Sequence, residues 1–245
     1  MWTDPPASPR TVVDETGFIL HLIPYRETSS LIDVFTRQYG RLRLLAKGNR
    51  KPGIRHTRPP PFTPLCLSWT GRSSLQVLTR FETTDAGYVL SSTALYCGLY
   101  LNELLLHLLP LGDPCPSIYS AYQNTLAELA QTGSLEPRLR YFELLLLESL
   151  GYGLSLEHSA KTGLPLREET LYSYVIEHGP EEASEPAVDT VHGSTLTGLK
   201  NRSLTDGLQL REAKRLMRRL IHHYTQGKPI RSRALFQTYN ASTHT

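Results

Sequence analysis

The stretch GFILHLIPYRETSSLIDVFTRQYGRLRLLAK, residues 17–47, sets the architecture of the first third of the chain. Its first two parts, Gly17–Tyr25 and Leu31–Thr36, are rich in β-branched, aromatic and other apolar residues and are separated by a short polar turn. Its last part, Arg41–Lys47, alternates between basic and apolar side chains, as a half-buried strand does. The stretch therefore predicts three consecutive β-strands.

Two further short strands, Leu65–Trp69 and Leu75–Phe81, follow after a long loop. Five short strands with a long connection between the third and the fourth are typical of the OB-fold, the small Greek-key barrel that binds oligonucleotides. An SH3-like barrel fits the strand count nearly as well. We predict an α+β multidomain protein that begins with a loose tail over residues 1–11 and a five-stranded OB-fold barrel over residues 12–83.

From about residue 84 the apolar residues recur with the period of helices. Four helices are predicted, over Tyr88–Leu109, Ser117–Gln131, Ser134–Leu150 and Leu208–Thr225. The first and third are apolar nearly all round and should be central in a helical core. We predict a helical domain over residues 84–245, with an irregular insertion at 154–205 and a final basic helix at 206–225.

The insertion has the weakest pattern in the chain. Tyr172–Ile176 could form a strand, and Glu177–Asp189 has the composition of an acidic loop that contains proline. Such a loop could occlude a basic site by imitating a nucleic acid, although a solvated linker is the simpler interpretation.

The basic residues are concentrated in one part of the chain. The chain has 26 Lys and Arg and 23 Asp and Glu, a formal net charge of +3. The segment Val34–Phe81 contains ten of the basic residues and no acidic residue, so it carries +10 and the rest of the chain −7. This asymmetry favours a polyanionic partner. The candidate contacts are these ten residues and one tyrosine that could stack on a base: Arg37, Tyr39, Arg41, Arg43, Lys47, Arg50, Lys51, Arg55, Arg58, Arg72 and Arg80.

The segment contains a strand row and a loop. Arg41, Arg43 and Lys47 share one face of the third strand, where residues two apart are about 6.7 Å from each other, close to two phosphate steps of a stacked strand. The loop that follows, up to Pro61, could act as a movable phosphate clamp, or it could be a basic loop without a ligand. The two arginines on the later strands are expected to be peripheral.

The last helix predicts a second basic surface. Its apolar residues recur at i, i+3 and i+4 and leave the basic residues on the other side. Further basic residues follow the helix. A solvated face explains part of this pattern, whereas a second contact with DNA or with an acidic protein tail explains all of it. The residues are Arg211, Lys214, Arg215, Arg218, Arg219, Lys228, Arg231 and Arg233.

No catalytic motif is found in the sequence. Gly48–Gly53 is not followed by Lys-Ser/Thr, so the P-loop pattern is not met. His222 and His223 are adjacent on a helix and point about 100° apart, so they cannot form an i, i+4 metal pair. We therefore expect a binding protein and not an enzyme. The alternatives are an RNA-binding OB-fold protein of ribosome or tRNA metabolism, and a hydrolase that uses the basic surface to hold its substrate.

Composition favours a cytoplasmic protein without a membrane partner. Cys66, Cys97 and Cys115 are far apart and form no C-x-x-C pair, so we expect reduced thiols and no disulfide framework. The most apolar stretch, Ala94–Leu109, has 16 residues, fewer than the roughly 20 that span a bilayer. Met1–Arg10 lacks the apolar core of a secretory signal.

Five motifs then point to a family. They are GFILHLIPYRETSSLIDVFTRQYGRLRLLAKGNR (Gly17–Arg50), PFTPLCLSW (Pro61–Trp69), GLYLNELLLHLLP (Gly98–Pro110), LRYFELLLLESLGYG (Leu139–Gly153) and GKPIRSRALF (Gly227–Phe236). Together, and in this order, they resemble the bacterial recombination mediators of the RecO family. The resemblance covers most of the chain, and the five spaced motifs make it specific.

The resemblance implies a function in recombinational DNA repair. Members of the family bind single- and double-stranded DNA, anneal complementary strands, and act with RecR in the RecFOR pathway to place RecA on DNA covered by single-strand-binding protein (SSB). They consume no nucleotide. By the same resemblance we expect a nucleoid-associated protein that is monomeric on its own. Its DNA contacts would be among Arg37, Arg41, Arg43, Lys47, Arg50 and Lys51.

The resemblance also implies a site for the C-terminal tail of SSB on the helical domain. That tail is a short acidic segment with apolar residues at its end, so it needs an apolar groove with a basic rim. Arg140, in LRYFE, is the best candidate for the rim, and Lys214 and Arg215 are weaker candidates.

One departure from the family concerns zinc. Zinc-carrying relatives have cysteines after GYG, whereas Leu154–Gly198 has none and offers only His158, His178 and His192. Structural zinc normally takes four Cys or His ligands. We therefore expect no metal and no cofactor, with the zinc-ribbon-like insertion held by packing.

Overall fold

The computed structural model describes residues 11–47, 59–72, 75–131 and 133–235. The strands are β1 (Thr11–Tyr25), β2 (Ser29–Thr36), β3 (Gly40–Ala46), β4 (Leu65–Thr70), β5 (Gln76–Thr83), β6 (Leu171–Val175), β7 (Gly179–Glu182) and β8 (Thr190–His192). The helices are α1 (Ser92–Leu108), α2 (Pro116–Leu129), α3 (Leu135–Ser149), α4 (Gly193–Lys200) and α5 (Gly207–Tyr224). The predicted α+β fold, a five-stranded barrel followed by a helical region, is confirmed.

A long first strand closes the barrel. The second half of β1 pairs with β2, and its first half pairs with β4, so that the order of strands is β1-β2-β3-β5-β4. Asp14 lies within the half that pairs with β4 and has a φ of 56°, and the register of the β1–β4 pair shifts there. Residues 12–16 were not predicted as a strand, because the acidic residues Asp14 and Glu15 interrupt the apolar pattern there. The loose tail was predicted over residues 1–11, but Thr11 is the first residue of β1, and residues 1–10 lie outside the described residues.

The alternation predicted for the third strand is confirmed. Leu44 and Ala46 are buried in the core of the barrel with Trp69, and Leu42 packs against the same cluster. Phe35 is also buried, but it points out of the barrel, and its ring lies 5.4 Å from that of Tyr119 at the start of α2.

The described residues divide into two compact units, one formed by those within 11–120 and 230–235 and the other by those within 121–229. Helix α1 belongs to the barrel unit, where the side-chain amide of Asn102 donates to the backbone carbonyl of Leu20 at 3.1 Å. The chain changes from strands to helices near residue 84, but the two compact units divide later, between Ser120 and Ala121.

The second unit contains α3, α4, α5 and a three-stranded sheet of order β7-β6-β8. The apolar stripe predicted for α5 is confirmed, since Ala213, Leu216, Met217, Leu220 and Ile221 are all buried. The helix begins where the Asp206 carboxylate accepts hydrogen bonds from two backbone N–H groups, both at 2.8 Å.

The insertion is more regular than the sequence predicted. β6 was expected, but β7 lies inside the predicted acidic loop, and α4 was not predicted at all. The sequence of β7, GPEE, lacks the residues that favour strands, and α4 contains glycine and threonine residues that disfavour helices. Both are formed by tertiary contacts: β7 pairs with β6, and α4 buries Leu196 and Leu199.

Glu103 on α1 holds the C-terminal segment of the barrel unit. Its Oε1 accepts the backbone N–H of Arg231 at 2.7 Å, and its Oε2 accepts the N–H and the hydroxyl of Ser232 at 2.8 and 2.6 Å. Burial alone would raise the pKa of this carboxyl, but the hydrogen bonds from Ser232 and Arg231 and the nearby His107 outweigh it and hold the pKa below its ordinary value. The ionised form is therefore the one that the folded protein stabilises.

We expect Glu103→Gln to lower the free energy of unfolding by about 2 kcal/mol at neutral pH, since hydrogen bonds to a charged group are lost or weakened. A carboxyl with a lowered pKa stabilises the fold above its unfolded pKa and ceases to do so as the pH falls through the folded value. The difference from the parent should thus shrink below about pH 4.5. Urea unfolding between pH 7 and pH 3 measures it, with the exposed Glu148→Gln as control. A difference independent of pH would exclude this role for the charge.

Candidate nucleic-acid interface

Asp33 on β2 pairs with two of the basic residues that were predicted to form a row along β3, Arg41 and Arg43. It is 1% exposed and lies opposite Arg43 in the β2–β3 register. Arg43 donates from Nε and Nη2 to the two carboxylate oxygens at 3.0 and 2.9 Å, and Nη1 of Arg41 lies 3.7 Å from Oδ1. The hydrogen bond to Asp33 raises the pKa of Arg43. Asp33 therefore neutralises part of the charge of the row.

Arg41 has a structural environment. Its side chain is 13% exposed, and its Nε donates to the backbone carbonyl of Leu109 just after α1 at 2.9 Å. Its own carbonyl accepts the N–H of Gly112 at 2.8 Å. Burial lowers the pKa of Arg41, against the opposing effect of Asp33. The predicted exposed row thus loses Arg41, because the connection after α1 lies against this part of β3.

Basic residues at the two ends of β3 are more accessible. Lys47 is exposed at the end of the strand, beside the turn between β1 and β2, because Ser30 pairs with Ala46. That turn carries Arg26, which is exposed and which the prediction missed. Glu27 follows Arg26 immediately, so a search for acid-free segments excludes it.

Arg37 is exposed in the turn at the opposite end of β3. The neighbouring backbone is fixed, since Gln38 donates its N–H to the Glu15 carboxylate at 2.7 Å. Burial raises the pKa of Glu15 in spite of this bond. Tyr39, predicted to stack on a base, packs edge-on against the Trp69 ring with the centroids 5.3 Å apart. Its ring is thus partly engaged in supporting the barrel core.

Of the remaining basic residues of the segment, two lie in the described part of the barrel and four lie outside it. Arg72 is exposed between β4 and β5, whereas Arg80 forms an ion pair of 2.7 Å with Glu82 on the same strand. The loop residues proposed as a phosphate clamp lie outside the described residues. They are Arg50, Lys51, Arg55 and Arg58.

The predicted second basic surface is divided between the two units. On α5, Arg211, Arg215 and Arg218 are exposed, and Arg215 donates to the carbonyl of Thr190 at 3.2 Å. Lys214 forms an ion pair with Glu136, and Arg219 forms one with Asp189 at 2.6 Å.

Three more members of that set follow α5. Lys228 is exposed in the second unit. Arg231 and Arg233 belong to the barrel unit, where the Arg233 guanidinium lies 5.3 Å from the Tyr100 ring and donates to its hydroxyl at 3.1 Å. The set is therefore not one continuous row on one helix.

Arg140 does not form an exposed rim. It is 3% exposed on α3, and its Nη2 lies 2.6 Å from Oε1 of Glu143, a carboxylate that is fully buried. The sequence signal was ambiguous here, because an arginine among leucines can be a rim residue or half of a buried ion pair. The i, i+3 spacing to Glu143 was the signal that could have distinguished the two.

Some classes of site are not found in the part of the chain that the structure describes. Among those residues, no group of three or more His, Cys, Asp and Glu side chains is arranged to hold a metal ion. No helix there has both the length and the hydropathy that crossing a bilayer requires.

A closed five-stranded barrel followed by a helical region defines an α+β protein with an N-terminal OB-fold. Residues 11–91 match the family described as Recombination protein O N terminal, and residues 90–234 match Recombination protein O C terminal. The chain belongs to the RecO family. This membership supports a role in DNA repair and recombination.

Similar curated proteins cover nearly the whole chain. The DNA repair protein RecO of Methylococcus capsulatus is 45% identical over 241 residues, which are 96% of this chain and 99% of the relative. That of Nitrosococcus oceani is 43% identical over 229 residues, 92% of this chain and 93% of the relative. The resemblance seen in the five motifs is confirmed.

We expect Arg41→Glu to destabilise the barrel by about 3–5 kcal/mol, because it places a second carboxylate beside the buried Asp33. Arg43→Glu should cost less, since 42% of that side chain is exposed. Urea unfolding of both variants is the measurement, with Lys47→Glu as an exposed control within about 0.5 kcal/mol of the parent. If Arg41→Glu is as stable as the parent protein, Arg41 has no structural role and is again a candidate contact for nucleic acid.

We expect Arg140→Ala to act on stability, with a loss of about 3–5 kcal/mol, because it leaves the Glu143 carboxylate buried without its cation. Replacing both residues, as Arg140→Met with Glu143→Leu, should recover much of that loss. The exposed Arg211→Ala is the control. If Arg140→Ala unfolds in urea like the parent, the pair does not stabilise the second unit.

Proposed function

We propose that this protein binds single- and double-stranded DNA, anneals complementary strands and, with RecR, helps to load RecA onto DNA coated with SSB. The observation that carries the proposal is the set of exposed cations on the outer side of the barrel. Arg37 and Lys47 lie at the two ends of β3, and Arg43 lies between them. In OB-folds this side, with its flanking turns, is the oligonucleotide surface.

The proposed mechanism of annealing is electrostatic. Two DNA strands repel each other through their phosphates, and cations that neutralise phosphates on both strands lower that repulsion until base pairs form. We propose that the barrel surface engages one strand and that the exposed arginines of α5, with Lys228 and Arg231, supply further contacts. This mechanism needs neither nucleotide hydrolysis nor a catalytic residue, and we propose that the protein acts without zinc or another cofactor.

We further propose that the second unit receives the acidic C-terminal tail of SSB. A carboxylate-rich peptide is recognised by cations that remain accessible. Arg215 is exposed and is the best remaining candidate, whereas Lys214 already pairs with Glu136 and should contribute less. Arg140 would support this unit from inside. In the cytoplasm, the protein would be a monomer that joins RecR at the DNA.

Annealing of SSB-coated complementary oligonucleotides without ATP tests the proposal. We expect the protein to speed the formation of duplex, because it both binds the strands and engages SSB. Omitting SSB and replacing SSB by a form without its C-terminal tail are the two controls, and the second should reduce the effect. Competition with an RNA oligonucleotide of equal length addresses an RNA-binding role. No acceleration over SSB-coated strands alone would refute the proposal.

Salt dependence tests the multi-phosphate surface. If about six phosphates of a single strand are engaged, log K against log salt should have a slope near −4. Lys47→Gln should make the slope shallower, whereas Arg80→Gln should leave it unchanged, because Arg80 is paired with Glu82. Fluorescence anisotropy of a labelled oligonucleotide between 50 and about 300 mM salt gives the slope. A parental slope flatter than about −2 would exclude such a surface.

A further inference from the structure

A cleft of about 740 Å³ opens on the barrel beside the turn between β1 and β2. Clefts that hold small ligands usually measure roughly 300–1,000 Å³, so this one can hold a group of the size of a nucleotide. The end of β3 forms its other side. The lining residues are Tyr25, Arg26, Glu27, Thr28, Ser29, Leu45 and Lys47.

The lining combines cations with an apolar wall. Arg26 and Lys47 are both exposed, and Leu45 on β3 is half-buried where it lines the cleft. The guanidinium of Arg26 lies 5.3 Å from the centre of the Tyr25 ring, which keeps it over that side of the cleft. Glu27 is the acidic residue of the lining. Two cations with an aliphatic and an aromatic side chain suit a phosphate joined to a sugar and a base.

The backbone of Arg26 is in an unusual conformation. Its φ is 54°, in the left-handed region that glycine and asparagine occupy more easily than arginine. The turn would therefore be less strained with either of those residues. A long cation at a position that disfavours it is an outlier of the kind that accompanies binding sites. The left-handed backbone also fixes the direction in which the side chain leaves the turn.

We propose that this cleft holds one nucleotide of a single DNA strand, with its phosphate between Arg26 and Lys47 and its sugar and base against Leu45 and Tyr25. The assignment rests on the proposed DNA-binding function and adds the place at which one nucleotide is held. Glu27 repels the phosphate and confines it to the side of the two cations. Arg26 lies outside the acid-free segment, so it extends the interface onto the turn between β1 and β2.

Arg26→Asn is the decisive substitution, because asparagine tolerates a positive φ and removes the cation without adding backbone freedom. We expect the Kd for an oligo-dT strand to rise about tenfold, the usual effect of losing a hydrogen bond to a charged group. Tm should stay within a few degrees of the parent. Arg202→Asn is the matched control: Arg202 is exposed, has a φ of 55° and belongs to the other unit.

Two further variants locate the phosphate. Arg26→Asn combined with Lys47→Gln should make the slope of log K against log salt shallower by about 0.7, the value for one phosphate of a single strand. Glu27→Gln should tighten binding several-fold, since it removes the repelling charge while keeping the size of the side chain. If the turn had only a structural role, the slope of log K against log salt would not change. The substitutions at Arg26 and Glu27 would then not have opposite effects on affinity.

The possible outcomes distinguish a failure of the cleft assignment from a failure of the proposed DNA-binding function. If Arg26→Asn binds like the parent while Lys47→Gln binds weakly, the cleft assignment is wrong and DNA binding stands. Equal weakening by Arg26→Asn and Arg202→Asn would show an effect of net charge and would also overturn it. A parent that binds no single-stranded DNA overturns the function and the cleft together. An RNA strand that binds more tightly than DNA, with the same loss in Arg26→Asn, would overturn the assignment to DNA.

Discussion

The buried carboxylate of Asp33 is the interaction on which the barrel surface depends. It holds Arg43 through two hydrogen bonds across the β2–β3 pair, and it lies within 3.7 Å of Arg41. Arg41 in turn donates to the carbonyl of Leu109, the residue that follows α1. One carboxylate thus orients two cations, of which one joins the barrel to α1 and the other stays partly exposed. Without Asp33, the largely buried Arg41 would lose its counter-charge in the interior, which is costly.

The same interaction explains why a count of charges described the surface incompletely. The acid-free segment begins at Val34, one residue after Asp33, and ends at Phe81, one residue before Glu82. Both of these acids form ion pairs with arginines from inside the segment. A window along the sequence shows which residues are near in the chain, whereas an ion pair depends on the register between strands. The composition of the segment predicted a polyanionic partner, but it did not predict the charge available at each position.

The periodicity of apolar residues predicted those strands and helices whose residues have a high propensity for that structure. The strands from Gly17 to Phe81 and the four longer helices follow from alternation or from apolar recurrence. Each was found within about four residues of its predicted bounds, except that β1 begins six residues earlier, at Thr11. β7, β8 and α4 were not predicted. β7 and α4 consist of residues with poor propensity and are held by a neighbouring strand and by buried leucines, and β8 has only three residues and is held by its pairing with β6. The burial of Arg140 was not predicted, because the only sequence signal for it was the i, i+3 spacing to Glu143, which an exposed pair on a helix shows as well.

The positions of the exposed cations have a common physical cause. In the middle of a strand, a basic side chain has cross-strand neighbours about 5 Å away, so a carboxylate on the next strand can pair with it. Arg43 is paired in this way. A residue at a turn has water on more sides, and Arg26, Arg37 and Lys47 stand where the chain leaves β1, β2 and β3. Their charge remains accessible to a phosphate from outside. Arg41 and Arg43 thus serve the barrel through Asp33, and the exposed turn residues, with the exposed part of Arg43, provide the charge that attracts a polyanion.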